Sequence, residues 1–120
     1  MNKVHLIGNL TRDPEIRYTQ SGKAVAHFTL AINDGYGENK RTDFPTIIAW
    51  GKTAEIIGDS LHKGSKVAVN GKITTSSYEK DGHKVYTTEV TADMYDGVEF
   101  LDKKQGGGQP NEIDSEIIPF

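Results

Sequence analysis

The chain has 120 residues, which suffices for one domain with a modest apolar core and a terminal segment. It contains no cysteine, which excludes disulfide bonds and thiolate metal sites, and no apolar run approaches the roughly 20 residues of a membrane span. No secretory hydrophobic segment follows the first residues, so we expect a soluble, cytoplasmic protein.

Charge is distributed unevenly along the chain, although the net charge is only -3. Residues 1–84 carry 12 Lys and Arg against 9 Asp and Glu, a balance of +3, whereas residues 85–120 carry 2 against 8, a balance of -6. A mildly basic body suits an anionic ligand, and an acidic terminus is expected to compete for that ligand at low salt. Ordinary surface charge is the alternative.

Two strands are predicted in the first third of the chain. Residues 3–10 and 24–32 are rich in aliphatic and β-branched side chains, with small or polar residues at every second position. Between them, Pro14 has no N–H to donate to a strand ladder, and Gly22 can adopt the positive φ of a turn. Residues 33–42 then form a polar loop, and so long a loop in a small domain is commonly functional or mobile.

A third strand and a short helix follow. Residues 44–50 have the composition of a strand, in which Pro45 predicts an edge or a bulge because it lacks an N–H. If Pro45 lies near a contact between subunits, a tetramer becomes less certain. A helix is expected to begin with Thr53 as its capping residue and to end near Gly64.

The last two predicted strands form a hairpin. Residues 66–73 and 85–92 alternate apolar and polar positions, and Asp81-Gly82 between them is a strong signal for a tight hairpin turn. Gly71, inside the first of these strands, predicts a bulge or a bend of the kind that small barrels use at their corners.

The order of these elements predicts the fold. Three strands, one short helix and two further strands match the OB-fold, an all-β five-stranded Greek-key barrel with one helix. A β-sandwich requires about seven strands, and a βαβ fold requires more helices. We therefore predict an OB-fold domain over residues 1–101, followed by a disordered C-terminal tail.

The tail has two predicted parts. Residues 102–111 contain flexible or helix-breaking residues and should form a flexible linker. Residues 112–120 place three carboxylates before an apolar end, which indicates a docking tip for a partner protein, since exposed apolar residues that join no core reduce solubility. A frayed terminus is the alternative. The predicted docking residues are Asp114, Glu116, Ile117, Ile118, Pro119 and Phe120.

Catalysis and metal binding find little support in the sequence. The four histidines, His5, His27, His62 and His83, lack the spacing that places two imidazoles on one metal, so neither a metal nor a cofactor is predicted. No local pattern joins a nucleophile to a general base, and we expect no enzymatic activity. A site assembled from distant residues stays open as an alternative.

Aromatic residues beside Lys and Arg carry the functional hypothesis. They are Tyr36, Phe44, Trp50 and Tyr78. Aromatic rings stack on bases of any sequence, and nearby cations track the phosphates, so the pattern is typical of single-stranded nucleic-acid binding. For Phe44 and Trp50, which lie in a predicted strand, a place in the core is the alternative. Tyr36 and Tyr78 are expected in loops.

The chain closely resembles bacterial-type single-stranded DNA-binding proteins. The resemblance begins at Asn2-Lys-Val-His-Leu-Ile-Gly-Asn-Leu-Thr-Arg-Asp-Pro-Glu-Ile-Arg-Tyr18. It continues in the family's order with Gly22-Lys-Ala-Val-Ala26, Trp50-Gly-Lys-Thr-Ala-Glu55, Leu61-His-Lys-Gly-Ser65, Val69-Asn-Gly-Lys72, Tyr86-Thr-Thr-Glu-Val90 and Ile118-Pro-Phe120. It implies a homotetramer of OB domains wrapped by single-stranded DNA and associated with the nucleoid. Its tips would recruit replication, recombination and repair proteins.

The resemblance also assigns roles to positions. The family's stacking aromatics fall on the four residues named above, and Lys52 and Lys63 match its basic positions. By location, Arg12, Lys40 and Arg41 are further predicted phosphate contacts. Positions 36, 44 and 78 lack the Trp of many members, and Thr74-Thr-Ser-Ser77 replaces Arg found in some. Weaker DNA affinity and a shallower salt dependence are therefore expected.

Several alternatives stay open at this point. The short linker and the single Ser115 within the acidic run are expected to reduce or redirect partner affinity. The chain suits a cellular protein or one encoded by a phage or mobile element, and it suits a tetramer or a dimer. Two other functions are a protein-interaction OB module, such as a primosome assembly factor, and an OB-type nuclease, which would need clustered carboxylates with Arg or a metal.

Overall fold

The computed structural model describes residues 1–94 and 96–101, so the predicted linker and docking tip lie outside the described residues. The described residues form eight strands, one α-helix and a single 3-10 turn at Gly37–Asn39. The strands are β1 (Val4–Leu10), β2 (Glu15–Tyr18), β3 (Ala24–Asp34), β4 (Arg41–Asp43), β5 (Thr46–Trp50), β6 (Lys66–Lys80), β7 (His83–Ala92) and β8 (Val98–Phe100). The helix α1 spans Gly51–Ser60. No helix in this part of the chain is long and apolar enough to span a membrane.

Five of the strands close into a barrel. They are joined in the order β1-β3-β5-β7-β6, and β6 pairs back onto β1. Every joint of the barrel is antiparallel except that between β5 and β7, where Ile47 lies beside Val90 and Ile48 beside Thr91. The helix lies between the third and fourth barrel strands. The predicted OB-fold is therefore confirmed, with three short strands, β2, β4 and β8, that the sequence pattern did not reveal.

The core fills the inside of the barrel and the space beneath α1. Along β3 every second side chain points inward, because successive residues of a strand face opposite sides. Burial of each large apolar side chain stabilises the fold by about 1.5 to 3 kcal/mol. The buried cluster consists of Leu10, Ala24, Ala26, Phe28, Leu30, Ile47, Ala49, Ala54, Ile57, Leu61, Val67, Val69, Val90 and Ala92.

Beyond the barrel, β6 and β7 continue as a two-stranded hairpin, residues 74–89, which we call the arm. Its strands stay in register from Thr74 opposite Glu89 to Lys80 opposite His83. The turn is Asp81-Gly82, with φ of 54° and 80°, as expected for the predicted tight hairpin. The prediction that the strand ends at residue 73 is wrong, because hydroxyl side chains sustain the ladder beyond the barrel.

Gly71 lies where β6 meets two neighbours at once. It pairs with Val4 of β1 and with Ala92 of β7. A Cβ at this position would overlap the carbonyl oxygen of Thr91, so the close approach of the two backbones requires glycine. Its predicted role in a bulge or bend stays a prediction.

The predicted ends of the helix are wrong. It begins at Gly51 instead of Thr53 and ends at Ser60 instead of near Gly64. The hydroxyl of Thr53 donates a hydrogen bond to the carbonyl of Met94 at 2.6 Å, so it ties the helix to the segment after β7 instead of capping it. The N–H of Leu61 bonds the carbonyl of Ile57 at 3.0 Å and closes the last turn.

The predicted polar loop at residues 33–42 is largely a hairpin. The strand β3 extends to Asp34, and β4 pairs with it. Phe44 therefore does not open a strand, since it lies with Pro45 between β4 and β5. The ladder is interrupted at Pro45, which has no N–H, although its carbonyl still accepts the N–H of Leu30 at 3.1 Å.

Candidate nucleic-acid interface

Strand register places Trp50 and Lys72 on the same outer face of the barrel. Ile48, two residues before Trp50, lies beside Thr91 of β7, and Thr91 lies opposite Lys72 of β6. Residues opposite each other in a sheet point to the same side, as do residues two apart along a strand. Trp50, Thr91 and Lys72 therefore face outward together, whereas Ile47 and Val90 point into the core.

A groove of about 380 Å³ lies on this face. Trp50 is half-buried there, and the ammonium of Lys23 lies 5.5 Å from the centroid of its ring, within the range of a cation–π contact. An aromatic ring in a groove that also contains two lysines can hold a flat base and its phosphates. The groove is lined by Lys23, Trp50, Lys72, Thr91, Ala92, Asp93 and Met94.

Tyr78 continues the same face along the arm. Its side chain is 52% exposed. It lies on β6, six residues after Lys72, so both point to one side of the strand. The expectation of a loop around Tyr78 is wrong, because β6 extends to Lys80. Between Lys72 and Tyr78 the face carries hydroxyls, which hydrogen-bond across the strands at 2.9 Å (Thr74 with Thr91) and 2.7 Å (Ser76 with Thr87).

The other two predicted stacking residues are exposed in segments around β4. Tyr36, 89% exposed, precedes the 3-10 turn, and Phe44, 61% exposed, follows β4. A place in the core is thereby excluded for Phe44. Exposure makes both rings accessible to a ligand, and their stacking role stays a prediction.

The five predicted phosphate contacts are all exposed, but their surroundings differ. Arg41 donates from Nε to both carboxylate oxygens of Asp43, at 3.0 and 3.3 Å, so its charge is partly neutralised. The backbone N–H of Lys63 donates to the carboxylate of Asp13 at 2.8 Å, which joins the segments that carry Lys63 and Arg12. The remaining two are Lys40, which follows the 3-10 turn, and Lys52, in the first turn of α1.

Sequence reasoning missed Lys23 and Lys72. Both lie within motifs that carry the family resemblance, and the alternation of β6 placed Lys72 on its polar face. The missing information was the order of the strands, since β6 lies two strands from β5 in the sheet and the chain order does not reveal this.

An ion pair lies on β2. The guanidinium of Arg17 donates a hydrogen bond from Nε to the Glu15 carboxylate at 2.9 Å, and this bond with the adjacent positive charge lowers the pKa of Glu15. Arg17 thus forms an exposed ion pair on its own strand. Among residues 1–94 and 96–101, Lys23 and Lys72 have no carboxylate within ion-pair distance. The same part of the chain contains no cluster of acidic or histidine residues that could hold a metal.

The closed barrel and its aromatic, basic outer face define the class of the protein, an OB-fold domain with a surface suited to nucleic acid. Residues 1–101 match the single-strand binding protein family. The chain therefore belongs to that family, which is a non-catalytic DNA-binding family, and membership supports single-stranded DNA binding as its function.

Individual relatives agree with this placement. The chain is 46% identical to single-stranded DNA-binding protein 3 of Listeria innocua, covering 97% of this chain and 75% of the relative. It is 44% identical to single-stranded DNA-binding protein A of Bacillus subtilis, covering 90% of this chain but only 63% of the relative. A solved structure, the Plasmodium falciparum SSB complex with ssDNA, superposes with a TM-score of 0.79 at 29% identity, covering 85% of this chain and 96% of that one.

Proposed function

We propose that the chain coats single-stranded DNA independently of sequence and recruits replication, recombination and repair proteins through residues 112–120. Bases stack on Tyr36, Phe44, Trp50 and Tyr78, and phosphates contact Arg12, Lys40, Arg41, Lys52 and Lys63. The proposal places this activity in the cytoplasm, on exposed single strands at the nucleoid.

One observation carries the DNA-binding part of the proposal. Trp50 lies on the outer face in a groove that also contains two lysines, and Tyr78 extends that face along the arm. Each stacked base contributes about 1 to 3 kcal/mol, and stacking tolerates any base because every base has a flat π-face. Duplex DNA keeps its bases stacked on each other, so this surface favours single strands.

Titration of Trp50 fluorescence tests the proposal directly, because the chain has one tryptophan. Oligo(dT), oligo(U) and duplex DNA are compared at two salt concentrations. Oligo(dT) is expected to quench the fluorescence tightly and in a salt-sensitive way, whereas duplex DNA has little effect. An unchanged signal with oligo(dT) at low salt, together with no binding by anisotropy of a labelled oligonucleotide, would contradict the proposal.

Substitution of the aromatics tests the stacking mechanism. In Trp50→Ala and Phe44→Ala, binding of labelled oligo(dT) is expected to weaken by about 1 to 3 kcal/mol each, equally for all base sequences. Lys52→Ala instead mainly reduces the salt dependence, by about one phosphate contact. Equal losses on duplex DNA would argue against stacking.

The docking tip is tested by deletion of residues 112–120. Loss of partner capture is expected, with slightly tighter DNA binding at low salt, because three carboxylates no longer compete with DNA. A weaker DNA complex after this deletion would contradict the competition. Retention of the main protein partner would favour a protein-interaction OB module, in which the barrel itself binds partners.

A homotetramer is part of the proposal, and β1 supports self-association. It pairs with β6 from Val4 to Asn9 but with β3 only at Asn9 and Leu10. Among the described residues, the edge of β1 before Asn9 therefore has no strand partner, and Ile7 beside it is 56% exposed. An open edge of this kind readily pairs with a second chain. Light scattering on the titrated sample gives the mass, and a monomer mass would contradict the assembly.

A further inference from the structure

Lys23 is held in place by a turn that precedes β3. Its backbone N–H donates to the hydroxyl of Thr19 at 3.1 Å, and its carbonyl accepts the N–H of Thr19 at 2.9 Å. The N–H of Gly22 bonds the Thr19 carbonyl at 2.8 Å and closes the same turn. Because both backbone groups of Lys23 are bonded, its side chain starts from a fixed point, from which the ammonium reaches to 5.5 Å from the Trp50 ring.

Lys72 approaches the groove from the opposite side. In the sheet, β3 is the neighbour of β5 on one side, and β7 followed by β6 lies on the other. Adjacent strands lie about 5 Å apart, so β6 runs about 10 Å from β5. Trp50 is consequently placed between Lys23 and Lys72, and both side chains line the groove with it.

Charges around the groove favour phosphates at its two sides. Arg17 is paired with Glu15, and neither groove lysine has a carboxylate within ion-pair distance among residues 1–94 and 96–101. Asp93 also lines the groove, with its carboxylate 4.0 Å from the ammonium of Lys3. A carboxylate in the groove repels phosphate from its own position, whereas an uncharged base is not repelled by it.

We propose that Lys23 and Lys72 bind the two phosphates that flank the base on Trp50, and that Lys23 covers the Trp50 ring until DNA displaces it. The proposal rests on the proposed function and adds two contacts to it. On binding, the base takes the place of the Lys23 ammonium over the ring, and the ammonium moves to a phosphate. These contacts replace in part the Arg that some members of the family carry where this chain has Thr74-Thr-Ser-Ser77.

Salt dependence tests the two phosphate contacts. We compare Lys23→Gln, Lys72→Gln and the double variant, with Lys84→Gln as a matched control on the other face of the arm. Binding of labelled oligo(dT) is followed by anisotropy over a range of salt. Each single change is expected to reduce the slope of log K against log salt by about 0.7, and the double change by about 1.4, whereas the control keeps the wild-type slope.

Acrylamide quenching of Trp50 fluorescence in the free protein tests whether Lys23 covers the Trp50 ring. Lys23→Gln should make the ring more accessible, whereas Lys72→Gln should not, and Lys23→Arg should retain both the cover and the slope. Circular dichroism serves as the control that each variant is folded. If wild-type protein fails to bind oligo(dT), the proposed function is wrong. If wild-type protein binds but the double variant has the same salt slope as the control, the two lysines do not contact phosphates. If acrylamide quenches Trp50 equally in wild type and Lys23→Gln, Lys23 does not cover the ring.

Discussion

The barrel and the arm share the same two strands, β6 and β7, but differ in what stabilises them. In the barrel half of β6, Val67 and Val69 are fully buried, whereas from Thr75 to Lys80 every residue is exposed. The arm is held by its backbone ladder, its tight turn and hydroxyl bonds such as that between Ser76 and Thr87. Binding side chains on the arm are thereby separated from those that stabilise the fold, so the arm can change its sequence without loss of the core.

The largest effect should come from matched isoleucine substitutions, one inside the barrel and one at its boundary with the arm. Ile47→Ala removes a fully buried side chain from the barrel and should lower the free energy of unfolding by about 2 to 5 kcal/mol. Ile73→Ala, at the root of the arm, removes a side chain that is 46% exposed and should cost about 1 kcal/mol. Urea denaturation at one protein concentration measures both losses of unfolding free energy. Equal losses in the two variants would contradict the difference in burial between the barrel core and its boundary with the arm.

An intermediate effect is expected from the two tyrosines of the arm. Tyr78→Ala should weaken oligo(dT) binding by about 1 to 3 kcal/mol with little change in melting temperature. Tyr86 is the matched control, since it is 72% exposed and lies opposite Ser77, on the other face of the arm. Tyr86→Ala should leave affinity within about 0.5 kcal/mol of wild type. A similar loss in both variants would mean that the arm does not bind DNA by one face.

The smallest effect tests the missing cations of the arm. Ser76→Arg adds a positive charge on the face that carries Tyr78 and should steepen the salt slope of oligo(dT) binding by about 0.7. Lys80→Gln on the same face should show whether existing arm cations already contact phosphate. Stability should fall by no more than about 1 kcal/mol, because the change removes only the exposed hydrogen bond between Ser76 and Thr87. An unchanged slope with no gain in affinity at low salt would place this face away from the DNA path.

Much of the fold could be predicted because period-two alternation and turn chemistry are local. The five barrel strands and the Asp81-Gly82 turn follow from such signals. The short strands β2 and β4 could not be predicted from such signals, because each is stabilised by pairing with β3 and not by its own composition. The helix start was also missed, because the hydroxyl of Thr53 bonds Met94, which is distant along the chain.

The candidate site was predicted in its aromatic members but not in its arrangement. Side-chain type and neighbouring charge single out Trp50 and Tyr78. Their shared face depends on β6 lying two strands from β5, and on β6 continuing to Lys80. Lys23 could not be connected with Trp50 from the sequence because that contact depends on the pairing of β3 with β5, although the turn before Lys23 was recognisable at Gly22.

The parallel joint between β5 and β7 has a consequence for folding. It joins Ile47 to Val90 and Ile48 to Thr91, which lie 43 positions apart along the chain, whereas the arm pairs neighbours across a two-residue turn. Contacts between distant segments carry a higher entropic cost of loop closure and form late. The β5–β7 joint should therefore form later than the arm, and the β1–β6 joint, whose partners lie 57 to 67 positions apart, should form later still. Trp50 ends the strand at the β5–β7 joint, so its fluorescence reports formation of this joint as well as occupation of the groove.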